Sequence, residues 1–189
     1  MSIENIYFPS DDSFFIVSFI EKNVKYSYFS VDVGTGSGII AFTLARISEK
    51  VLATDIKYAS CYYAWSKSKE IGIDYKIDVI CCEDLSALRE DKVFDIVVSN
   101  PPYLPCEEIY SAECGGKNGI EIAARIVLES IKRILKGGKI YIVLSSLSNI
   151  SKFKNFLLRK ELKYSIAHRG RIGLFEELYI FEITGLTDI

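Results

Sequence analysis

The chain has 189 residues, of which 49% are hydrophobic, and a formal net charge of −2 at pH 7. Its length suits one domain with one substantial core, and the slightly acidic balance argues against a global electrostatic grip on DNA or RNA. No stretch reaches the roughly 18 consecutive apolar residues that a membrane span needs, and the N-terminus lacks the basic start and apolar core of a signal peptide. We therefore expect one cytoplasmic domain over residues 1–189 without membrane attachment.

Segments with helical and strand patterns alternate along the chain. The sequence predicts helices over 12–24, 39–47, 58–71, 119–135 and 149–160. It predicts strands over 28–33, 51–55, 75–80, 94–99, 139–145, 164–168 and 177–183, the last two as a terminal hairpin. Lys136, Gly137 and Gly138 would cap the fourth helix. This alternation predicts a parallel sheet with right-handed crossovers, and strands buried on both faces account for part of the hydrophobic content.

A rigid corner follows the predicted strand 94–99 and consists of Asn100, Pro101, Pro102 and Tyr103. The two prolines fix φ and lack amide donors, and Pro101 pushes Asn100 into an extended conformation. The corner presents the Asn100 carboxamide oxygen and the Pro101 carbonyl as acceptors beside the Tyr103 ring. These groups suit a flat, uncharged NH2-bearing substrate, either an amide or the exocyclic amine of a base. The competing interpretation is a rigid loop without chemistry.

A glycine-rich turn joins the first predicted strand to the helix after it. Gly34, Gly36 and Gly38 lie where the backbone can approach a ligand closely and where a helix N-terminus offers free amides. The G-x-G-x-G spacing differs from the G-x-G-x-x-G of dinucleotide folds and does not favour a pyrophosphate.

Two acidic residues follow later strands. Asp55 is suited to accept hydrogen bonds from both hydroxyls of a ribose, and Asp84 to bind the amino group of an adenine. The carboxyl ends of parallel strands meet at one edge of an open sheet, where ligands bind. The glycine turn, the two acids and the Asn-Pro-Pro-Tyr corner therefore form one ordered set of candidate site residues.

At these residues the chain resembles the class I S-adenosylmethionine-dependent methyltransferases, specifically the HemK-like glutamine methyltransferases that modify peptide chain release factors. The resemblance extends over nearly the whole chain. The helical N-terminal domain of bacterial members has no counterpart in it, as is typical of the short archaeal and eukaryotic branch. Five segments carry it: 7–13 (YFPSDDS), 31–38 (VDVGTGSG), 100–103 (NPPY), 115–121 (GGKNGIE) and 168–173 (HRGRIG).

The resemblance implies a seven-stranded, mostly parallel, Rossmann-like sheet in the order 3-2-1-4-5-7-6, with an antiparallel seventh strand and helices on both faces. It implies methylation of the glutamine in the GGQ motif of a release factor, with S-adenosylmethionine as cofactor and without a metal. Asn100, Pro101, Pro102 and Tyr103 would hold the methyl acceptor. The residues implied for the cofactor are Pro9, Asp12, Ser13, Asp32, Gly34, Thr35, Gly36, Gly38, Asp55, Ile56, Asp84, Leu85 and Asn100.

Two other functions stay open. The Asn-Pro-Pro-Tyr motif is shared with adenine and guanine methyltransferases, so a nucleic-acid N-methyltransferase is the main alternative. The acidic charge and the absence of an appended RNA-binding module weaken it. A non-catalytic cofactor-binding scaffold is the second alternative, and the intact motif argues against it.

A partner chain is expected at the third strand, 75–80, which is an edge strand in the implied order. The helix before it carries four aromatic residues, Tyr58, Tyr62, Tyr63 and Trp65. An apolar edge is an aggregation hazard that a second chain can cover. The short branch of the family typically pairs with a small zinc-binding activator protein, so the resemblance implies a heterodimer. In the alternative, the aromatic side chains pack inward and Lys76 and Asp78 guard the edge.

The five cysteines form no C-x-x-C pair, so we expect reduced thiols, without a zinc site in this chain or a disulfide between Cys106 and Cys114. His168, the only histidine, is expected at the surface or in a turn and not as a catalytic base. The basic stretch 152–171 is either a solvated face or a docking patch beside the site.

Overall fold

The sheet and its helices are built from residues 6–107 and 113–184, the parts of the chain that the computed structural model describes. The strands are β1 (Ser27–Val33), β2 (Ser48–Asp55), β3 (Ile77–Cys81), β4 (Phe94–Ser99), β5 (Ile134–Ser145), β6 (Lys163–Ile172) and β7 (Glu176–Thr184). The helices are α1 (Asp11–Asn23), α2 (Ile39–Leu44), α3 (Tyr58–Glu70), α4 (Glu121–Ile131) and α5 (Ile150–Arg159). None of these helices is long and apolar enough to cross a membrane.

The strands pair in the order β3-β2-β1-β4-β5-β7-β6. The first five are parallel to one another, while β7 is antiparallel to both β5 and β6. This confirms the predicted order, the antiparallel seventh strand and the terminal hairpin. Because these five strands are parallel, their carboxyl ends all open at the same edge of the sheet.

Two apolar clusters cover the two faces of the sheet. One joins α4 and α5 to strand residues, with Ile126, Phe153 and Val97 among its buried members. The other joins α1 and α2 to the opposite face, with Ile16 and Val98 among its members. Neighbouring residues of β4 thus belong to different clusters, as the side-chain alternation of a strand requires. Helices pack on both faces, which confirms the predicted fold class.

Two predicted helix ends are wrong. α2 ends at Leu44 and not at residue 47, because β2 begins only a few residues later. α4 ends at Ile131 and not at residue 135, and the glycines predicted to cap it lie within β5. The pairing of β5 with β4 shifts register between Phe94 and Ile96. The additional residues of β5, including Gly137 with φ +82°, therefore accommodate a bulge.

Arg133 links the end of α4 to the chain before β4 from a buried position. Its side chain is 4% exposed. The guanidinium donates to the carbonyl oxygens of Leu88, Arg89 and Glu129 at 2.7, 3.1 and 2.9 Å, and to a Glu129 carboxylate oxygen at 2.8 Å. These contacts hold residues about 45 positions apart in one arrangement, beside the strand that leads to the Asn-Pro-Pro-Tyr corner.

Replacing Arg133 with methionine should lower the free energy of unfolding by about 3–5 kcal/mol, since it leaves buried carbonyls and a carboxylate without their donor. Urea denaturation measures this loss. The matched control is Lys132→Met, because Lys132 pairs with Glu90 and Glu129 at the surface. The control should leave stability nearly unchanged, and equal losses in the two variants would contradict the role of Arg133.

Candidate active site

A cleft of about 1120 Å³ opens at the carboxyl ends of the parallel strands, the edge where open α/β sheets bind ligands. The predicted site residues that line it are Pro9, Asp12, Gly34, Gly36, Asp55, Ile56, Asp84, Asn100, Pro101, Pro102 and Tyr103. The predicted residues outside its lining are Ser13, Asp32, Thr35, Gly38 and Leu85. The structure therefore brings the glycine turn, Asp55, Asp84 and the Asn-Pro-Pro-Tyr corner together at one site.

The carboxylate of Asp12, near the start of α1, is the centre of a hydrogen-bond network and is 6% exposed. Its side-chain donors include Ser10 at 2.6 Å, Tyr7 at 2.9 Å, Asn100 Nδ2 at 2.9 Å and Tyr103 Oη at 3.1 Å. Burial by itself would raise the pKa of Asp12, but these donors and the Ser13 amide hold the pKa below its usual value. Asp12 is therefore ionised at neutral pH.

The ionised carboxylate of Asp12 fixes the orientation of the Asn100 carboxamide. A carboxylate only accepts hydrogen bonds, so Nδ2 has to face it. Asn100 Oδ1 is left buried and has no hydrogen-bond partner among the residues that the structure describes. Because Asn100 lines the cleft, this oxygen is an unsatisfied acceptor where the sequence predicts a substrate NH2 group.

The Asn-Pro-Pro-Tyr corner is anchored at both ends. Ser99 Oγ donates to the carbonyl of the last residue of β1 at 2.7 Å, and Ser148 Oγ donates to the Tyr103 carbonyl at 2.7 Å. Burial and the nearby charges of Asp12 and Glu176 raise the pKa of Tyr103 far above its usual value. The phenol is therefore a neutral hydrogen-bond donor at physiological pH.

The segment 115–121 packs against the backbone of this corner. A Cβ atom on Gly115 would lie 2.6 Å from the Pro102 carbonyl oxygen. Gly119, with φ +67°, likewise leaves no room for a side chain beside the Tyr103 carbonyl. The glycines of the G-G-K-N-G segment thus allow a close contact that fixes the corner.

The glycine turn after β1 is held by Asp55. Gly36 has φ +54°, a Cβ there would lie 3.1 Å from the Tyr7 carbonyl oxygen, and its amide donates to Asp55 Oδ2 at 2.9 Å. The amide of Lys57 donates to Asp55 Oδ1 at 2.8 Å. Two backbone donors fix this carboxylate, and each oxygen retains a lone pair for a further hydrogen bond.

Asp32 differs from the prediction, because it lies behind the glycine turn and does not line the cleft. It is fully buried, and its Oδ2 accepts from Thr35 Oγ1 at 2.7 Å and from the Ala41 amide at 3.1 Å. Burial raises the pKa of Asp32 to about 7. Its observed contacts are with the turn and with α2, so it positions the residues that line the cleft.

The other predicted residues outside the cleft lining lie next to elements that form the lining. The Ser13 amide donates to Asp12 at 2.6 Å, and Gly38 immediately precedes α2 with φ +88°. Leu85 is fully buried in an apolar cluster. Ser13, Gly38 and Leu85 are therefore not among the residues that line the cleft.

Asp84 has a partner that sequence analysis missed. Arg125 of α4 donates to Asp84 through Nε at 2.5 Å and Nη2 at 3.4 Å, and it pairs with Glu83 at 2.7 Å. Burial raises the pKa of Asp84, while Arg125 opposes this shift. Arg125 lies 41 residues from Asp84 and no local pattern marks the pair.

The residues that line the cleft outside the predicted set include Phe14, Ile172 and Glu176. The last two come from the β6–β7 hairpin. His168 does not line the cleft; it is exposed on β6 and stacks on Phe15 with ring centroids 5.1 Å apart. The basic stretch is divided between exposed positions of α5 and of β6.

The prediction of reduced Cys106 and Cys114 is wrong, since the two residues form a disulfide with Cα atoms 5.6 Å apart. The chain segments around them run side by side. The Leu104 amide donates to Glu113 at 3.0 Å, and the Cys106 amide donates to Gly116 at 3.0 Å. These backbone contacts bring the two cysteines together, and the cysteine spacing alone does not reveal them.

The family model described as the Methyltransferase small domain matches residues 11–167. The chain belongs to this family. This membership confirms the predicted methyltransferase and supports S-adenosylmethionine as the cofactor of the cleft.

Two relatives and one solved structure extend the comparison. The release factor glutamine methyltransferase of Rhodopirellula baltica is 30% identical over 129 residues, covering 61% of this chain and 44% of that protein. A Methanocaldococcus jannaschii protein, provisionally named as a protein N5-glutamine methyltransferase, is 29% identical over 183 residues, covering 93% of this chain and 89% of its own. The chain thus spans less than half of the bacterial relative and most of the archaeal one.

The solved structure is that of the E. cuniculi Mtq2–Trm112 complex, described as responsible for the methylation of the eRF1 translation termination factor. The similarity has a TM-score of 0.75 at 20% identity and covers 96% of this chain and 99% of that chain. At this level of identity, the similarity establishes that the two chains share a fold.

The raised pKa of Asp32 predicts a loss of stability with rising pH. The folded chain binds this proton more tightly than the unfolded chain, so the contribution is full below about pH 4 and is lost as the pH rises to about 7. Between about pH 5 and pH 8, Asp32→Asn should remove up to about 3 kcal/mol of this fall, because about two pH units separate pH 5 from the raised pKa. Urea unfolding at the two pH values measures the difference. Asp78→Asn, which alters an exposed carboxylate, should follow the wild-type dependence. A variant at Asp32 that also follows it would contradict the assignment.

Proposed function

We propose that this methyltransferase transfers a methyl group from S-adenosylmethionine to the side-chain amide nitrogen of the glutamine in the GGQ motif of a translation release factor. The observation that carries the proposal is Asn100 Oδ1, which has no hydrogen-bond partner within residues 6–107 and 113–184. Nδ2 of the same carboxamide is bound to Asp12, and Asn100 lines the cleft. The names of the bacterial and archaeal relatives support the choice of a glutamine amide.

The residues of the cleft fit the cofactor. Gly34 leaves open space where a side chain would stand, and Asp55 keeps acceptor capacity for ribose hydroxyls. Ile56 and Asp84 also line the cleft, and they suit the adenine. When bound, S-adenosylmethionine would supply a methyl group on a sulfonium. In-line displacement by the substrate nitrogen would break the carbon–sulfur bond, and the sulfur would leave as a neutral thioether. The protein's task is to hold and desolvate the two reactants.

The acceptor side of the cleft uses hydrogen-bond acceptors and no general base. An amide nitrogen is a poor nucleophile because its lone pair is delocalised. Asn100 Oδ1 and the Pro101 carbonyl accept its two N–H groups and return electron density toward the nitrogen. Asp12 stays ionised but is occupied by its donors, and the Tyr103 phenol stays neutral. The excess proton of the product leaves to solvent.

The alternative substrates are less well supported. The acidic residues that line the cleft are Asp11, Asp12, Asp55, Glu83, Asp84, Glu113, Glu121 and Glu176. Nucleic-acid phosphates would approach them at an electrostatic cost. A non-catalytic scaffold has no use for an oriented, unsatisfied carboxamide.

We also place a partner chain on the sheet edge formed by β3 and α3. The side chains of Tyr58, Tyr62 and Trp65 are 61%, 46% and 42% exposed, and Tyr75, just before β3, is 67% exposed. Tyr63 alone of the four helix aromatics packs on Phe8, with centroids 5.7 Å apart. The alternative in which all these aromatics pack inward is therefore wrong.

Few charged side chains protect this edge from pairing with another strand. Lys76 turns its ammonium to the carbonyls of Ala45 and Ser48, at 3.2 and 3.0 Å, which leaves Asp78 as the exposed charge of β3. Ile56, 65% exposed, connects this surface to the cleft. A small zinc-binding activator protein is the proposed partner, and the assembly is proposed to act in the cytoplasm, where release factors work.

The function is tested with labelled S-adenosylmethionine and a release factor, tRNA or DNA as acceptor. Asn100→Ala should bind the cofactor within about threefold of wild type but lose at least about a hundredfold in turnover, since the acceptor is no longer oriented. A release factor with alanine in place of the acceptor glutamine is the substrate control. Methylation of tRNA or DNA but not of the factor, or full turnover by Asn100→Ala, would contradict the proposal.

The partnership is tested by co-expression with the activator protein. The chain alone should be poorly soluble or weakly active, and the activator should restore both properties. Trp65→Lys should abolish the rescue, because it places a charge on the proposed interface. Tyr28→Lys, at another aromatic that is 69% exposed, is the control and should still be rescued. A monodisperse, fully active chain that ignores the activator would exclude the partnership.

A further inference from the structure

The turn that joins β6 to β7, residues 172–176, lies at the cleft. Ile172 and Glu176 face each other in the register of the hairpin, and both line the cleft. Between them, Leu174 and Phe175 are 84% and 93% exposed, the highest values among the large hydrophobic side chains of the described residues. Two adjacent apolar side chains thus stand in water next to the proposed catalytic site.

Glu176 contributes a second unsatisfied acceptor to the same cleft. Its Oε1 is buried and has no hydrogen-bond partner among the residues that the structure describes. Glu176 lines this cleft together with Asn100 and Tyr103 of the acceptor corner. A buried carboxylate oxygen without a donor is costly in an isolated protein. It is explained if a ligand supplies the donor.

The unsatisfied oxygens of Asn100 and Glu176 belong to different parts of the fold, one after β4 and the other at the start of β7. Asn100 Oδ1 matches a side-chain NH2 group. Glu176 Oε1 therefore requires a further N–H donor on the same substrate. A polypeptide offers such donors along its backbone, whereas a nucleic-acid backbone offers phosphates that a carboxylate repels.

We propose that residues 172–176 recognise the polypeptide around the methyl acceptor. Glu176 Oε1 accepts a hydrogen bond from a backbone N–H of the segment that carries the acceptor glutamine. Leu174 and Phe175 pack on apolar surface of the folded substrate protein beside that segment. This assignment rests on the proposed function and specifies which element selects a protein substrate.

The two parts of the turn are separated by comparing two substrates, an intact release factor and a short peptide that contains its GGQ motif. Glu176→Gln should raise KM by about tenfold or more for both substrates, as expected for loss of a hydrogen bond to a charged group, with kcat within about threefold. The double variant L174S/F175S should raise KM for the intact factor only. The cofactor Kd and the melting temperature should match wild type in each case.

Matched controls exist for both changes. Glu177→Gln removes the neighbouring carboxylate, which accepts from the Tyr179 hydroxyl at 2.8 Å and does not line the cleft. Leu158→Ser removes an apolar side chain that is 61% exposed on α5. Neither control should change KM.

The outcomes separate this inference from the proposed function. Wild-type methylation of the factor with unchanged KM in the turn variants overturns the inference alone. A weaker cofactor Kd in Glu176→Gln would assign Glu176 to the cofactor and also overturn it. Absence of methylation of the factor and the peptide by the wild-type chain, assayed together with the activator protein, would overturn the proposed function and this inference with it.

Discussion

The ionised carboxylate of Asp12 connects the segment before α1 with the corner after β4, and the geometry of the acceptor site depends on it. Its donors come from Tyr7 and Ser10 on one side and from Asn100 and Tyr103 on the other. Burial of a carboxyl group that is 6% exposed raises its pKa, and the donors oppose that shift. A protonated carboxyl would also donate a hydrogen bond, and Asn100 could then turn its oxygen inward. Ionisation thus determines which face of the carboxamide meets the substrate.

Three aspartates at or after strand ends show how environment assigns different tasks to one residue type. Asp32 is fully buried with a raised pKa and acts on the glycine turn. Asp55 lies in the cleft wall and is fixed by two backbone amides that leave acceptor capacity. Asp84 is neutralised by Arg125. Of the three, Asp55 combines a fixed position, remaining acceptor capacity and a place in the cleft wall.

The sequence predicts the elements of this fold better than their cross-links. Hydrophobic periodicity and turn residues identify all seven strands and five helices, because these patterns are local. The strand order came from the family resemblance, and the structure confirms it. The Arg133 contacts, the Arg125–Asp84 pair and the Cys106–Cys114 disulfide depend on chain segments that meet only in the folded state. The position of Asp32 outside the cleft lining is not predicted for a related reason, since a residue's place in a motif does not state which way its side chain points.

The two edges of the sheet are protected in different ways, and the difference explains how a partner and a substrate can bind together. β6, at one edge, carries exposed Arg169 and Arg171, and its pairing shifts register between Ile166 and His168. Charges and bulges of this kind discourage a further strand. β3, at the other edge, is short, has Asp78 as its exposed charge and shows no register shift in its pairing with β2. Strand addition is therefore favoured at β3, on the opposite side of the sheet from the β6–β7 turn. The partner proposed for β3 and α3 would reach the cleft through Ile56, while the turn lies at the cleft through Glu176, so neither contact would block the other.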